Sequence, residues 1–85
     1  MPERRLTVRT EVGLHARPAA LFVREASAHA GDVTVAKGDG APVSAKSILA
    51  VMGLGVRQGD EIVVAADGEQ AESVLDALAA IVDGA

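Results

Sequence analysis

Pro18 fixes where this 85-residue chain can begin its first helix. Proline is tolerated in a helix only near the start, where the N–H it lacks has no carbonyl to meet. Downstream, Ala19, Phe22, Val23 and Ala26 recur at helical spacing, so a helix is predicted from about Ala16 to about His29 with this stripe turned inward. Upstream, Gly13 lets the loop turn sharply. His15 then falls at or beside the N-cap, where the backbone N–H groups of Ala16 and Arg17 have no partner within the helix. Arg17 adds a fixed cation with several donors, suited to gripping phosphate oxygens. An imidazole, free amides and a guanidinium together make an anion-receiving site with a nucleophile inside it. Arg17, Ala20, Leu21 and Arg24 are left on the outer side of the helix, beside the imidazole.

The other elements follow from periodicity and punctuation. Leu6 and Val8 alternate with Thr7 and Arg9 as a half-buried first strand, and Val33 and Val35 alternate with Thr34 and Ala36 as a second. Gly38-Asp39-Gly40 signals a hairpin into a short strand around Val43, and Pro42 puts that strand at an edge, since proline cannot donate to a central ladder. Ser47, a preferred N-cap residue, precedes a short apolar helix from Ile48 to about Gly53. So short a helix cannot bury every apolar side chain. Val51 and Leu54 are the core candidates, and Ile48, Leu49 and Met52 are left for the surface. Glu61-Ile62-Val63-Val64-Ala65-Ala66 reads as a last, central strand. Asp67-Gly68 turns into a final helix with Ala71, Val74, Leu75, Leu78, Ile81 and Val82 on one stripe. The order is βαββαβα, an α+β chain read as a single domain over residues 1–85, with helices on one side of an antiparallel sheet. His29, at the end of the first helix, is expected to be solvated and without a chemical role.

Composition removes several function classes. The chain has no cysteine, which argues against a disulfide scaffold, a zinc knuckle and thiol chemistry. It has two histidines and no carboxylate at ligand spacing from His15, so no metal site is expected. No G-x-S-x-G elbow supports a hydrolase triad. Twelve acids against eight basic residues give a net charge of −4, and Phe22 is the single aromatic, which argues against nucleic-acid binding. Met1-Pro2-Glu3-Arg4-Arg5 lacks a signal-peptide core, and no apolar run is long enough to span a bilayer. A cytoplasmic protein with no membrane partner and no cofactor is the expectation.

Gly13-Leu14-His15-Ala16-Arg17-Pro18-Ala19 resembles the active-site loop of HPr, the histidine-containing phosphocarrier family of the bacterial phosphoenolpyruvate-dependent sugar phosphotransferase system, and matches its signature at every fixed position. A second stretch, Ser44-Ala45-Lys46-Ser47-Ile48-Leu49-Ala50-Val51-Met52-Gly53-Leu54-Gly55, resembles the family's regulatory-serine segment. Length and element order agree, so the resemblance covers essentially the whole chain. It implies an open-faced β-sandwich with strand order 1-4-2-3 and three helices on one face, an order that the sequence by itself does not fix. It implies a phosphoryl carrier rather than an enzyme, with His15 accepting phosphate on Nδ1 from enzyme I and passing it to sugar-specific enzyme IIA. Arg17 and the amides of Ala16 and Arg17 would hold the phosphoryl group. Ala20, Arg24, Ile48, Leu49, Met52 and Gly53 would form the docking patch of a monomer. Ser47 would be the regulatory phosphorylation site, served by a serine kinase and phosphorylase and read by a transcriptional regulator in carbon catabolite control. A regulatory binding module acting through Ser47 is therefore the alternative, as is a carrier of a nitrogen-related or dihydroxyacetone-kinase branch. Many relatives carry a basic residue where this chain has Ser27, a departure that bears on partner choice.

Overall fold

Glu61–Ala66 forms the strand on which the sheet is built (β4), flanked by a partner on each side in the computed structural model, which describes residues 1–84. The remaining elements are β1 (Glu3–Thr7), α1 (Ala16–Ala28), β2 (Val33–Lys37), β3 (Val43–Ser44), α2 (Ile48–Gly53) and α3 (Ala71–Asp83). The sheet is antiparallel in the order β1-β4-β2-β3. Its register pairs Val35 with Val64 and Val33 with Ala66, so these side chains share the face covered by the helices and are buried. β3, next to Pro42, pairs only Thr34 with Ser44 and Val35 with Val43, at the edge where proline costs no ladder bond.

α3 buries Ala71, Val74, Leu75, Leu78 and Val82, with Ile81 packed against the same core, as its spacing predicts. α1 buries Ala19, Phe22 and Ala26, while Val23 lies half-buried against that core. Phe22, Leu14, Ile62, Leu75 and Leu78 are the largest side chains fully removed from water. Each such burial is worth roughly 1.5–3 kcal/mol in transfer free energy. No helix among the described residues is long and apolar enough to cross a membrane.

Two local expectations need correction. The first strand runs from Glu3 to Thr7, not around Leu6 to Arg9. Arg4 occupies an inward register position opposite Val64 and reaches out to Glu72 (2.7 Å) and Asp76 (2.5 Å) on α3, which hides the alternation from a hydropathy reading. Val8 still enters the core, but its N–H goes to the carbonyl of Asp60 (2.9 Å) instead of the ladder. The second correction is His29, which is 9% exposed. Its Nε2 lies 2.6 Å from the carbonyl of Asp67, and since that oxygen can only accept, Nε2 carries the proton. The Lys46 ammonium donates to the His29 carbonyl (2.8 Å), and Asp67 Oδ1 accepts from Asp32 N (2.6 Å). The end of α1 is thus tied to the turn after β4, a contact that residues 38 positions apart do not announce locally.

The turn before β4 closes on itself. Arg57 N donates to Asp60 Oδ2 (2.9 Å), Asp60 N donates to the carbonyl of Arg57 (3.0 Å), and Gly59 N donates to Val8 (2.7 Å). The Arg57 N–H, and after it the charge of Lys37, hold the Asp60 carboxyl below its ordinary range against the opposing effect of partial desolvation. A carboxyl with a lowered folded pKa stabilises the fold above its unfolded pKa, and that contribution is lost as pH falls through the folded value. Urea unfolding from pH 7 down to pH 2 should therefore show a shallower acid-side loss of stability in Asp60→Asn than in the parent chain; equal slopes would remove Asp60 from the titration.

Candidate functional site

The loop before α1 is held by backbone contact. Gly13 has φ +67°, and a Cβ there would run into the carbonyl oxygen of Val56 and the Cα of Arg57. Its N–H donates to Thr10 O (3.0 Å), and Thr10 Oγ1 returns a bond to Gly13 O (2.8 Å). Leu14 N donates to Val56 O (3.1 Å) while its side chain is fully buried. The loop is fastened from below, immediately before the histidine.

His15 is the N-cap of α1, with extended backbone (φ −131°, ψ 168°) and no side-chain capping bond. Its carbonyl accepts the first helical bond, from Ala19 N at 3.4 Å. The residue is partly exposed, and neither ring nitrogen has a hydrogen-bond partner among the described residues. Pro18 is the third helical residue, inside the opening turn as its chemistry requires. The N–H groups of Ala16 and Arg17 meet no acceptor among the described residues, and both residues are exposed. Arg17 lines a shallow groove with Thr10, Pro18, Leu21, Ile81 and Gly84 between α1 and α3. A nucleophilic ring therefore stands next to two uncommitted donors at the positive end of a helix dipole.

One feature of this loop has no sequence signal. Ala16 has φ +51°, in the left-handed region that costs a residue with a Cβ about 1–2 kcal/mol. Nothing in an alanine between histidine and arginine announces it. The role of Val56 and Arg57 as the floor of the loop was likewise hidden; a glycine at position 13 suggests a close approach, but not by which segment.

Ser47 caps α2, its Oγ accepting from Ala50 N (3.2 Å). Val51 is fully buried and Leu54 packs against the core. Ile48, Leu49 and Met52 are 39%, 82% and 38% exposed, three large apolar side chains close together on one short helix. Gly53 is exposed at the end of the same helix. α2 packs against α1, whose outer side exposes Ala20, Leu21 and Arg24. No cluster of three or more potential metal ligands occurs among the described residues.

Residues 2–83 match the family described as "PTS HPr component phosphorylation site". The chain belongs to the HPr family. It is 56% identical over 82 residues to the phosphocarrier protein HPr of Streptomyces coelicolor, covering 96% of this chain and 88% of that one. It is 46% identical over 82 residues to the HPr-like protein Crh of Bacillus subtilis, covering 96% and 95%. The crystal structure of an HPr from Thermoanaerobacter tengcongensis superposes with a TM-score of 0.91 at 40% identity, covering 99% of this chain and 93% of that one. The four-stranded sheet in the order 1-4-2-3, with three helices, is thus the open-faced sandwich of HPr.

Two sets of variants probe this site. Gly13→Ala should lower stability by more than about 2 kcal/mol, since a left-handed penalty and backbone overlap add. Ala16→Gly should stay within about 1 kcal/mol of the parent, because relief of strain is offset by the entropy of glycine. Ser47→Ala should cost about 1 kcal/mol through loss of the cap. Urea denaturation measures all three, and a Gly13→Ala variant as stable as the parent would contradict the packing of the loop on Val56.

Proposed function

We propose that His15 accepts a phosphoryl group from phospho-enzyme I and delivers it to sugar-specific enzyme IIA domains. The observation that carries this reading is the partly exposed, unbonded imidazole at the N-cap of α1, with the Ala16 and Arg17 amides uncommitted beside it. The unprotonated ring nitrogen, assigned as Nδ1 from the family, attacks phosphorus; the bond from phosphorus to the donor breaks, and the donor keeps the electron pair. The new anion is met by the two amides and the Arg17 guanidinium. The helix end stabilises such an anion by about 0.3–1 kcal/mol, up to ~2 in favourable geometry. That modest figure suits a carrier, which must release what it binds. The protein is then a substrate of phosphotransferases more than a catalyst, acting in the cytoplasm as a monomer without a cofactor.

Partners dock on Ala20, Arg24, Ile48, Leu49, Met52 and Gly53 in this reading. The exposed apolar side chains of α2 supply desolvation, and an adaptable methionine suits a surface that meets more than one protein. The sugar branch is favoured over the nitrogen-related and dihydroxyacetone-kinase branches by the Ser47 segment and by similarity to phosphocarrier HPr.

A second reading, regulation through Ser47, draws support from the similarity to Crh. Phosphorylation by a serine kinase, reversed by a phosphorylase, would add a charge of about −1.5 to −2 at the start of α2. A helix N-terminus tolerates that charge, so the fold would persist while partners, a transcriptional regulator among them, would read the change.

Incubation with phosphoenolpyruvate and enzyme I, followed by intact mass measurement, should give one acid-labile phosphate that is absent from His15→Ala; a phosphate that survives this substitution overturns the assignment. Arg17→Ala should slow transfer at least about tenfold, the worth of one charge-assisted hydrogen bond, with the fold intact by circular dichroism. Unchanged transfer would remove Arg17 from the site.

A further inference from the structure

The distribution of ion pairs singles out a residue that the motifs do not touch. The chain has eight Lys and Arg in a background of twelve acids. Arg4 pairs with Glu72 and Asp76, Arg5 with Asp39 and Glu61, Arg9 with Asp83, and Lys37 with Asp60. The Lys46 ammonium is taken by the carbonyl of His29. Arg17, Arg24 and Arg57 are left, and none of the three has an acidic partner among the described residues. Arg17 and Arg57 stand on the segments that flank one histidine, and Arg24 follows on the helix that this histidine caps.

Arg57 belongs to this group through the backbone. Its Cα lies against Gly13, so close that no Cβ fits between them, and Gly13 is two residues from His15. Arg17 is two residues to the other side. The imidazole is therefore flanked by a guanidinium-bearing segment before and after it, with Arg24 about two turns further along α1. The turn carrying Arg57 is pinned at four points: Arg57 N to Asp60 Oδ2, Asp60 N to Arg57 O, Gly59 N to Val8 O, and Gln58 Nε2 to Arg9 O (3.1 Å). The Asp60 carboxylate, the acid nearest in sequence, accepts from the Arg57 N–H and pairs with Lys37; it feels the Arg57 charge, yet the exposed guanidinium forms no ion pair with it.

We propose that Arg57 is a specificity-determining residue, completing with Arg17 and Arg24 a cationic arc that receives an acidic surface on the proteins exchanging phosphate with His15. The inference rests on the carrier reading above. Exposed charges act on encounter and orientation more than on the chemical step, and their reach is cut off by salt within a Debye length of about 8 Å at physiological ionic strength. Arg57 consequently sets how readily a partner docks, and the His15 chemistry runs at its own rate once the complex has formed.

The test measures phosphoryl transfer from phospho-enzyme I to the full chain, and direct binding of enzyme I by calorimetry, at low and high salt. Arg57→Glu should raise KM and Kd roughly three- to tenfold at low salt with kcat unchanged, and the difference should shrink at high salt. Arg57→Gln should fall between, and Arg57→Lys should restore near-parental values. Arg5→Gln, which removes one charge from the open face of the sheet, should leave both constants in place. Equal constants for Arg57→Glu and the parent at low salt overturn the proposal, as do a fall in kcat alone and an equal rise in Arg5→Gln, which would make net charge the cause. A parent chain that is phosphorylated normally while Arg57→Glu matches it refutes the role of Arg57 alone. A parent chain that neither takes up phosphate nor binds enzyme I refutes the carrier reading, and this inference with it.

Discussion

The close approach of Gly13 to the backbone of Val56 and Arg57 is the contact on which the candidate site depends. It removes freedom from the loop that carries the histidine. Leu14 is driven into the core on one side of that contact, and His15 is turned outward on the other. The N-cap geometry of His15 then follows from the chain, with no hydrogen bond from its own ring. That is useful chemically: a histidine that capped its helix through a ring nitrogen would have that nitrogen committed. The backbone does the positioning, and the side chain stays available.

The left-handed Ala16 fits the same picture. A residue held at φ +51° is tolerated where neighbours on both sides are already fixed, Leu14 in the core and Pro18 in the first helical turn. The amides of Ala16 and Arg17, the first two of the helix, are left unspent beside it. Strain, free donors and an unpartnered ring thus occur within three consecutive residues, while the rest of the described chain has no buried side-chain polar atom lacking a partner. Unmet bonding capacity of the ring and of two amides thus lies where a ligand atom would supply the missing partner.

How far the sequence anticipates this depends on whether a signal is local. Pro18 and the stripe Ala19, Phe22 and Ala26 locate α1, and the apolar run Glu61–Ala66 identifies the central strand, because each is decided by the chemistry of a few adjacent residues. Ser47 as a cap follows from the preference of serine for that position, and the exposure of Leu49 from the short length of α2. What periodicity could not give was pairing across the chain. The strand order came from resemblance. Arg4 inside the register of β1 depends on acids that arrive with α3, and burial of His29 depends on a carbonyl at Asp67. That Arg57 lacks an acidic partner is visible only once the ion pairs of Arg4, Arg5, Arg9 and Lys37 are in place.

The sheet has two free margins, and neither invites another strand. On one side β3 contributes only Val43 and Ser44 next to a proline, so little straight backbone is on offer. On the other, β1 displays arginines and a glutamate along its short run. Blunted or charged margins of this kind discourage edge-to-edge growth between copies. A filament that grows by adding strand to strand would therefore find no long bare edge on this chain to start from.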